Sequence, residues 1–295
     1  MNAFAASTSD RVSVHPDTSL GPVRLLVSDA DRSRRFYEVA TGLRATELDD
    51  GAIALGTDGG APLVELQGDG SAPALDPRAP GLFHLAILLP SRLDLAIALA
   101  RLAQARIPLT GASDHLVSEA LYLSDPDGNG IEIYRDRPRD EWQVRDGVLQ
   151  MATLPLDLDS LIGELDDHER RSPAAPAGTR IGHVHLQVSD LADAERFYSG
   201  VLGFDVTVRG YPGALFVSAG GYHHHIGLNT WSSLGSPPPR TGAVGLDSFE
   251  IVLPSADELD RVLARARAAG VETEELADGW RIRDPFGSGV LLRAR

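Results

Sequence analysis

Apolar positions along the chain follow two periods. Residues 23–29, VRLLVSD, form a short apolar run that predicts a strand. Residues 31–42, DRSRRFYEVATG, then space their apolar positions as one face of a helix and close on Gly42, a residue favoured just past a helix C-terminus. Three short strands are expected to follow. The pattern returns at HLAILLP (84–90), a strand, and at LDLAIALARLAQARI (93–107), a helix with an apolar stripe. Next come ALYLSD and GIEIYRD, two strands joined by a Pro-Asp-Gly-Asn turn.

The alternation belongs to an internal repeat. Val27-Ser28-Asp29, Phe36-Tyr37 and Gly42 recur as Val188-Ser189-Asp190, Phe197-Tyr198 and Gly203, each pair 161 positions apart. Leu89-Pro90-Ser91 likewise returns as Leu253-Pro254-Ser255, and Asp125-Pro126-x-Gly128-x-Gly130 as Asp284-Pro285-x-Gly287-x-Gly289. The chain therefore reads as a duplication in which each half holds two units of order βαβββ. These fall near residues 21–67, 81–136, 180–230 and 244–293. The expected division is an α+β fold with a flexible N-terminus (1–20), a first two-module domain (21–137), a connector (138–179) and a second two-module domain (180–295). The connector carries Pro138, Pro155, Pro173 and Pro176 and one short helix expected from Asp159 to Asp166.

Composition narrows the chemistry. The 295 residues suit about two domains of ordinary size. A formal net charge of −15 disfavours both nucleic acid and anionic membrane surfaces as partners. With no Cys there are no disulfides, no thiolate ligands and no Cys nucleophile, so any metal must be held by His, Asp or Glu. The longest apolar run, around Leu85 to Leu89, is far short of the roughly 20 residues of a membrane span. The opening MNAFAASTSD has neither a basic nor an apolar leader region, so a cytoplasmic protein is expected.

Three residues stand out as ligand candidates. His84 lies five residues before Leu89 and His183 five before Val188, at equivalent positions in the first strands of the second and third modules. His185 shares the face of His183 by strand alternation. Glu132, in GIEIY, faces away from Ile131 and Ile133. Two His and one carboxylate on rigid strands form a facial set that leaves open coordination positions, as on Fe(II), although the three alone would also suit Mn(II). The equivalent positions elsewhere are Pro22, Ser248 and Leu291, so the second and third modules alone could build such a site.

Other residues carry two readings each. The run His223-His224-His225 is either a surface metal-binding tract or a strand entry that brings an acid/base imidazole to the cavity mouth. Tyr122 is a core aromatic or a phenol that meets substrate, and Asp114-His115 a turn cap or a substrate contact. Asp157, Asp159, Asp166, Asp167 and Glu169 read as a solvated connector face without the spacing of a calcium loop.

The segments GHVHLQVSD, GLFHLAILLPS and SDHLVSEALYLSDPDGNGIEIYRD resemble the vicinal oxygen chelate superfamily (glyoxalase, bleomycin resistance protein and dioxygenase), in particular its catechol 2,3-dioxygenase-like type I extradiol dioxygenases. The likeness spans roughly residues 20 to 293 and implies two tandem domains of this fold. It implies His84, His183 and Glu132 as ligands of Fe(II), His224 as acid/base with His223 or His225 as near alternatives, and Tyr122 as the active-site phenol. It also implies a small neutral aromatic diol and O2 as substrates, for which His115, His185 and His225 are the candidate contacts. A homo-oligomer is compatible with the likeness. Two rivals share the scaffold: a glyoxalase-type isomerase or lyase using another metal, and a metal-free small-molecule-binding protein. In the best-known dioxygenases of the superfamily the ligands fall on the third and fourth modules. Here they fall on the second and third, which requires those two to pair within one chain, leaving the first and fourth as an empty cup, or partner chains to exchange modules.

Overall fold

The computed structural model describes residues 13–145, 148–166 and 174–295. Four βαβββ modules follow one another. The first is β1 (Ser19–Val27), α1 (Ala30–Thr41), β2 (Arg44–Glu47), β3 (Ile53–Gly56) and β4 (Pro62–Gly68). The second is β5 (Gly81–Leu89), α2 (Arg92–Gln104), β6 (Gly111–Asp114), β7 (Ser118–Ser124) and β8 (Gly130–Asp136). The connector adds three two-residue strands, β9 (Val144–Arg145), β10 (Val148–Leu149) and β11 (Leu154–Pro155), and a short helix α3 (Leu158–Ile162). The third module is β12 (Arg180–Gln187), α4 (Leu191–Glu195) continuing as a π-turn to Val201, β13 (Asp205–Val208), β14 (Ala214–Ser218) and β15 (Ile226–Asn229). The fourth is β16 (Gly245–Leu253), α5 (Ala256–Ala268), β17 (Glu274–Leu276), β18 (Gly279–Arg283) and β19 (Gly289–Ala294).

The repeated words turn out to be structural. Asp29, Ser91, Asp190 and Ser255, the last residues of the VSD and LPS words, are the N-caps of α1, α2, α4 and α5, and each side chain accepts a backbone N–H three residues on. Gly42 ends α1 in the left-handed region at φ 75°. The Tyr of each FY word reaches the Asp of the next module's turn: Tyr37 Oη donates to Asp125 at 3.4 Å, and Tyr198 Oη to Asp284 at 2.9 Å. Those buried carboxylates also accept the N–H groups of their own turns, Asp125 from Asp127 and Asn129, and Asp284 from Phe286 and Ser288. Burial pushes both carboxyls above the usual range, partly offset by these bonds.

Two large sheets form beside a two-stranded β9–β10 ribbon, and neither large sheet is confined to one half of the chain. The nine-stranded sheet runs β11-β6-β7-β8-β5-β12-β15-β14-β13 and joins the second and third modules through an antiparallel β5–β12 pair. The eight-stranded sheet runs β17-β18-β19-β16-β1-β4-β3-β2 and joins the fourth and first through β1–β16. Of the two arrangements left open by the sequence, the chain adopts the one in which modules two and three pair internally. Helices cover one face of each sheet, and Leu85, Ile87, Ile131, Ile133, Val184 and Leu186 belong to the large core packed on that side.

Two expectations are corrected. Residues 13–20 are not a loose tail: Val14 is buried, its N–H donates to the Gly203 carbonyl at 2.7 Å, and β1 already begins at Ser19. The connector helix is shorter than expected and earlier, Leu158–Ile162, with Asp157 as its N-cap and Gly163 at its end. Asp167, Glu169 and Pro173 lie outside the described residues. No helix among the described residues is long and apolar enough to cross a membrane.

Replacing Asp284 by Ala would leave the Phe286 and Ser288 N–H groups and the Tyr198 hydroxyl without their acceptor. A loss of about 2–4 kcal/mol in denaturant unfolding is expected, from a cluster of buried groups stripped of one shared partner. A loss below about 0.5 kcal/mol would show that the turn finds other acceptors.

Candidate metal centre

Strand alternation and register assemble the site. On β8, Ile131 and Ile133 enter the core, which turns Glu132, Tyr134 and Asp136 to the concave face. Glu132 stands opposite Tyr122 on β7 and beside Ala86 on β5. Ala86 in turn stands opposite His183 on β12, and His84 opposite His185. Ala86, Leu88, Ala120 and Tyr134 form a small apolar floor under these polar groups.

His84, Glu132 and His183 meet there, all buried, with one ligand atom from each lying within 4.8 Å of the others. Glu132 Oε2 is 2.9 Å from His84 Nε2 and 3.1 Å from His183 Nε2, and the two nitrogens are 3.3 Å apart. Ligands about 2.1 Å from an ion at right angles to each other would be about 3.0 Å apart, so the three atoms are spaced as one face of an octahedron. Two Nε2 atoms converging on one carboxylate oxygen make a poor hydrogen-bonded cluster, because the nitrogens face each other as well as the oxygen. They suit a cation.

The protonation states agree with this. Burial alone would raise the Glu132 carboxyl, but the facing His183 and His84 hold it well below the usual carboxylate range. Burial lowers His183 to about 4, against the opposing pull of Glu132. An ionised Glu132 carboxylate and a neutral His183 imidazole are forms that metal binding requires. His183 Nδ1 is buried without a hydrogen-bond partner among the described residues.

The triad forms the base of a cavity of about 560 Å³. Leu75, Phe83, Leu123, Met151, Phe216 and Trp231 supply apolar wall, and no Lys or Arg lines it among the described residues. Tyr122 lines it too. Its phenol is held well above its usual pKa by burial and by Glu132, and lies 2.7 Å from His115 Nε2. His115 Nδ1–H donates to the Ala152 carbonyl at 2.6 Å, which leaves Nε2 to accept from Tyr122. Asp114 is a turn cap: it ends β6, accepts the Leu116 N–H at 2.8 Å and pairs with Arg137. His224 also lines the cavity, its ring centre 4.1 Å from that of His183 with the planes tilted by 48°, and burial holds it well below the usual imidazole range.

His185 lines the cavity beside Gly227, its register partner on β15. A Cβ at position 227 would come within 2.9 Å of the His185 ring, so the second carboxylate that a glyoxalase-type centre needs has no room there. His225 is a correction. It does not line the cavity: the chain bends at His223 and His225 before β15 begins, and the His225 Nδ1 accepts the Ala219 N–H at 3.2 Å away from the lining. The His run is therefore no surface tract: all three imidazoles carry structural contacts. Sequence reasoning missed Asp136, whose Oδ1 accepts from His223 Nε2 at 2.9 Å, although Glu132, Tyr134 and Asp136 share one parity. It also missed the cavity wall at residues 151–153, which the connector's Pro-rich composition does not announce.

Comparison with known proteins supports the architecture. Residues 19–133 and 180–290 match the Glyoxalase/Bleomycin resistance protein/Dioxygenase superfamily. The chain belongs to that superfamily. It is 48% identical over 283 residues to a Catechol-2,3-dioxygenase of Bacillus subtilis (strain 168), an alignment covering 95% of this chain and 98% of that protein. Among solved structures, a putative dioxygenase from Bacillus subtilis superposes with a TM-score of 0.61 at 14% identity, covering 96% of this chain and 85% of that one. Glyoxalase I from Zea mays gives 0.56 at 15% identity, covering 94% and 92%. At such identities these two structures support the fold.

A pH dependence follows from the buried imidazoles. The folded pKa of His183 lies below its unfolded value of 6.5, and those of His185, His224 and His225 are also lowered by burial, His225 to about 3. The unfolded chain thus binds more protons between about pH 6.5 and 4, and stability is present above 6.5 and lost as pH falls through that window. Metal-free protein should lose up to about 1.4 kcal/mol per pH unit for each such His in chemical denaturation. A flat profile from pH 7 to 4.5 would mean that the imidazoles are solvated or already charged.

Proposed function

We propose that the protein is a Fe(II)-dependent extradiol dioxygenase that opens the ring of a catechol beside its diol with O2, giving a ring-opened semialdehyde. The observation that carries this reading is the convergence of His84 Nε2, His183 Nε2 and Glu132 Oε2 at the base of a single apolar cavity, with spacing suited to one face of a six-coordinate ion. Bound there, Fe(II) would supply adjacent open positions for the two vicinal oxygens and for O2, and would lower the pKa of a coordinated phenol.

The surrounding residues have separable tasks. His224, kept neutral by burial, accepts a phenolic proton from the bound diol and returns it later in the cycle. Tyr122, kept protonated by burial and by Glu132, turns its hydroxyl between His115 and the substrate to stabilise charge that develops there. His185 and His115 flank the substrate. Apolar walls exclude water and hold the ring flat in one orientation. A cavity whose described lining holds no cation favours a neutral catechol over one bearing a carboxylate. Two further features support the reading: the likeness to a relative named Catechol-2,3-dioxygenase, and Gly227, which removes the second carboxylate of the glyoxalase alternative.

Protein purified without oxygen, loaded with Fe(II) and mixed with catechol in air-saturated buffer should develop the yellow ring-cleavage chromophore, and the Zn(II)-loaded protein should not. Glu132→Ala should lose iron and turnover to background while melting within a few degrees of the parent in the metal-free state. Equal activity with Zn(II), no colour with several neutral catechols, or global unfolding of the variant would overturn the reading.

A further inference from the structure

Behind the cavity wall, three side chains form a hydrogen-bonded line whose direction is fixed at one end. Asp136 Oδ1 lies 2.9 Å from His223 Nε2, and His223 Nδ1 lies 2.8 Å from His224 Nδ1. A carboxylate can only accept, so a single ring proton on His223 must sit on Nε2, because a bare lone pair held against the carboxylate oxygen would be repelled. His223 Nδ1 is then an acceptor. His224 must donate to it from Nδ1–H, which leaves the lone pair on Nε2 of a ring that lines the cavity.

We propose that Asp136 and His223 are positioning residues that lock His224 in the Nδ1–H tautomer and so present a bare Nε2 to the substrate. This rests on the reading of His224 as the acid/base of the cavity. The line is held rigidly. The Tyr222 hydroxyl donates to Asp136 Oδ1 at 3.1 Å, and Tyr134 in turn lies 2.7 Å from the Tyr222 hydroxyl. Thr207 Oγ1 donates to the His223 carbonyl at 2.7 Å, and the Tyr222 and Trp142 rings pack 4.0 and 5.5 Å from the His223 imidazole. His223 is fully buried and does not line the cavity, so it acts through His224 and not on the substrate. Asp136 stands on the strand that carries Glu132, four residues on and on the same face. One strand thus anchors both the candidate ligand and the candidate base, and the spacing between them is fixed by the pleat of β8.

The tautomer can be read without turnover. In 15N-labelled full-length protein, both metal-free and loaded with diamagnetic Zn(II), long-range 1H–15N correlation should show His224 protonated at Nδ1 and bare at Nε2, and His223 protonated at Nε2. His223→Leu removes the acceptor and should redistribute the His224 proton to Nε2. In the Fe(II)-loaded enzyme its kcat should fall by about 10–100-fold while KM stays within about threefold. His223→Gln, whose side-chain carbonyl can accept from His224 Nδ1–H, should recover most of the loss and the parent tautomer, which a general packing defect would not allow. A parent His224 protonated at Nε2 would overturn the proposal, as would a Leu variant with unchanged tautomer and kcat or a Gln variant no better than Leu. An Fe(II)-loaded parent inactive toward catechols would instead overturn the dioxygenase reading, with the nitrogen spectra still deciding this one.

Discussion

The pairing of β5 with β12 is the constraint on which the rest depends. These strands meet antiparallel at the centre of the nine-stranded sheet and set His183 opposite Ala86 and His185 opposite His84. The parallel β5–β8 pair then sets Ala86 beside Glu132. A slip of one residue in either pair would turn whole rows of side chains to the helix-covered face. What prevents it is the opposite row: Leu85, Ile87, Ile131, Ile133, Val184 and Leu186 bury their side chains in the main core, and exposing such a set would cost about 1.5–3 kcal/mol for each. The apolar face thus fixes the position of the polar one. The register irregularities preceding His183 and following His185 adjust the strand locally around the site.

A buried carboxylate among clustered imidazoles is expensive to assemble, and the two cups of the molecule solve that problem differently. In the cup built by the first and fourth modules, the ligand positions are Pro22, Ser248 and Leu291, and the concave face is occupied by ion pairs. Arg24 meets Asp50 and Glu65 there, and Arg293 meets Glu250 and Asp278. Burial raises the Glu65 and Glu250 carboxyls, yet each has a guanidinium at hand. In the cup of the second and third modules no such cation stands beside Glu132 among the described residues, and its charge partners there are the two imidazoles. Divergence after duplication has closed one cup electrostatically and left the other with converging lone pairs that an ion would satisfy.

The connector is more than a tether between halves. Residues 151–153 line the cavity, the Ala152 carbonyl fixes His115, and Thr153 Oγ1 lies 3.0 Å from the Tyr211 hydroxyl across the mouth. β11 extends the sheet from β6, so the segment that crosses between the duplicated halves also walls the site they share. Each half alone would lack at least one candidate ligand: His84 and Glu132 belong to the first and His183 to the second.

Much of this was legible in the linear sequence. The four modules, their order and their boundaries to within about two residues follow from hydrophobic period and from repeated words, because caps and turn carboxylates are local devices that recur wherever the same helix or turn recurs. Strand parity also assigned Glu132, His183 and His185 to one kind of face before any partner was known. Parity cannot say which strands become neighbours, so the pairing of modules two and three within one chain, the 2.9–3.3 Å triangle and the direction of the Asp136–His223–His224 line were decided by tertiary structure. The same limit explains the error at His225: three consecutive imidazoles look equivalent in sequence, and only the packing on either side of one short segment separates the ring that faces the cavity from those that support it.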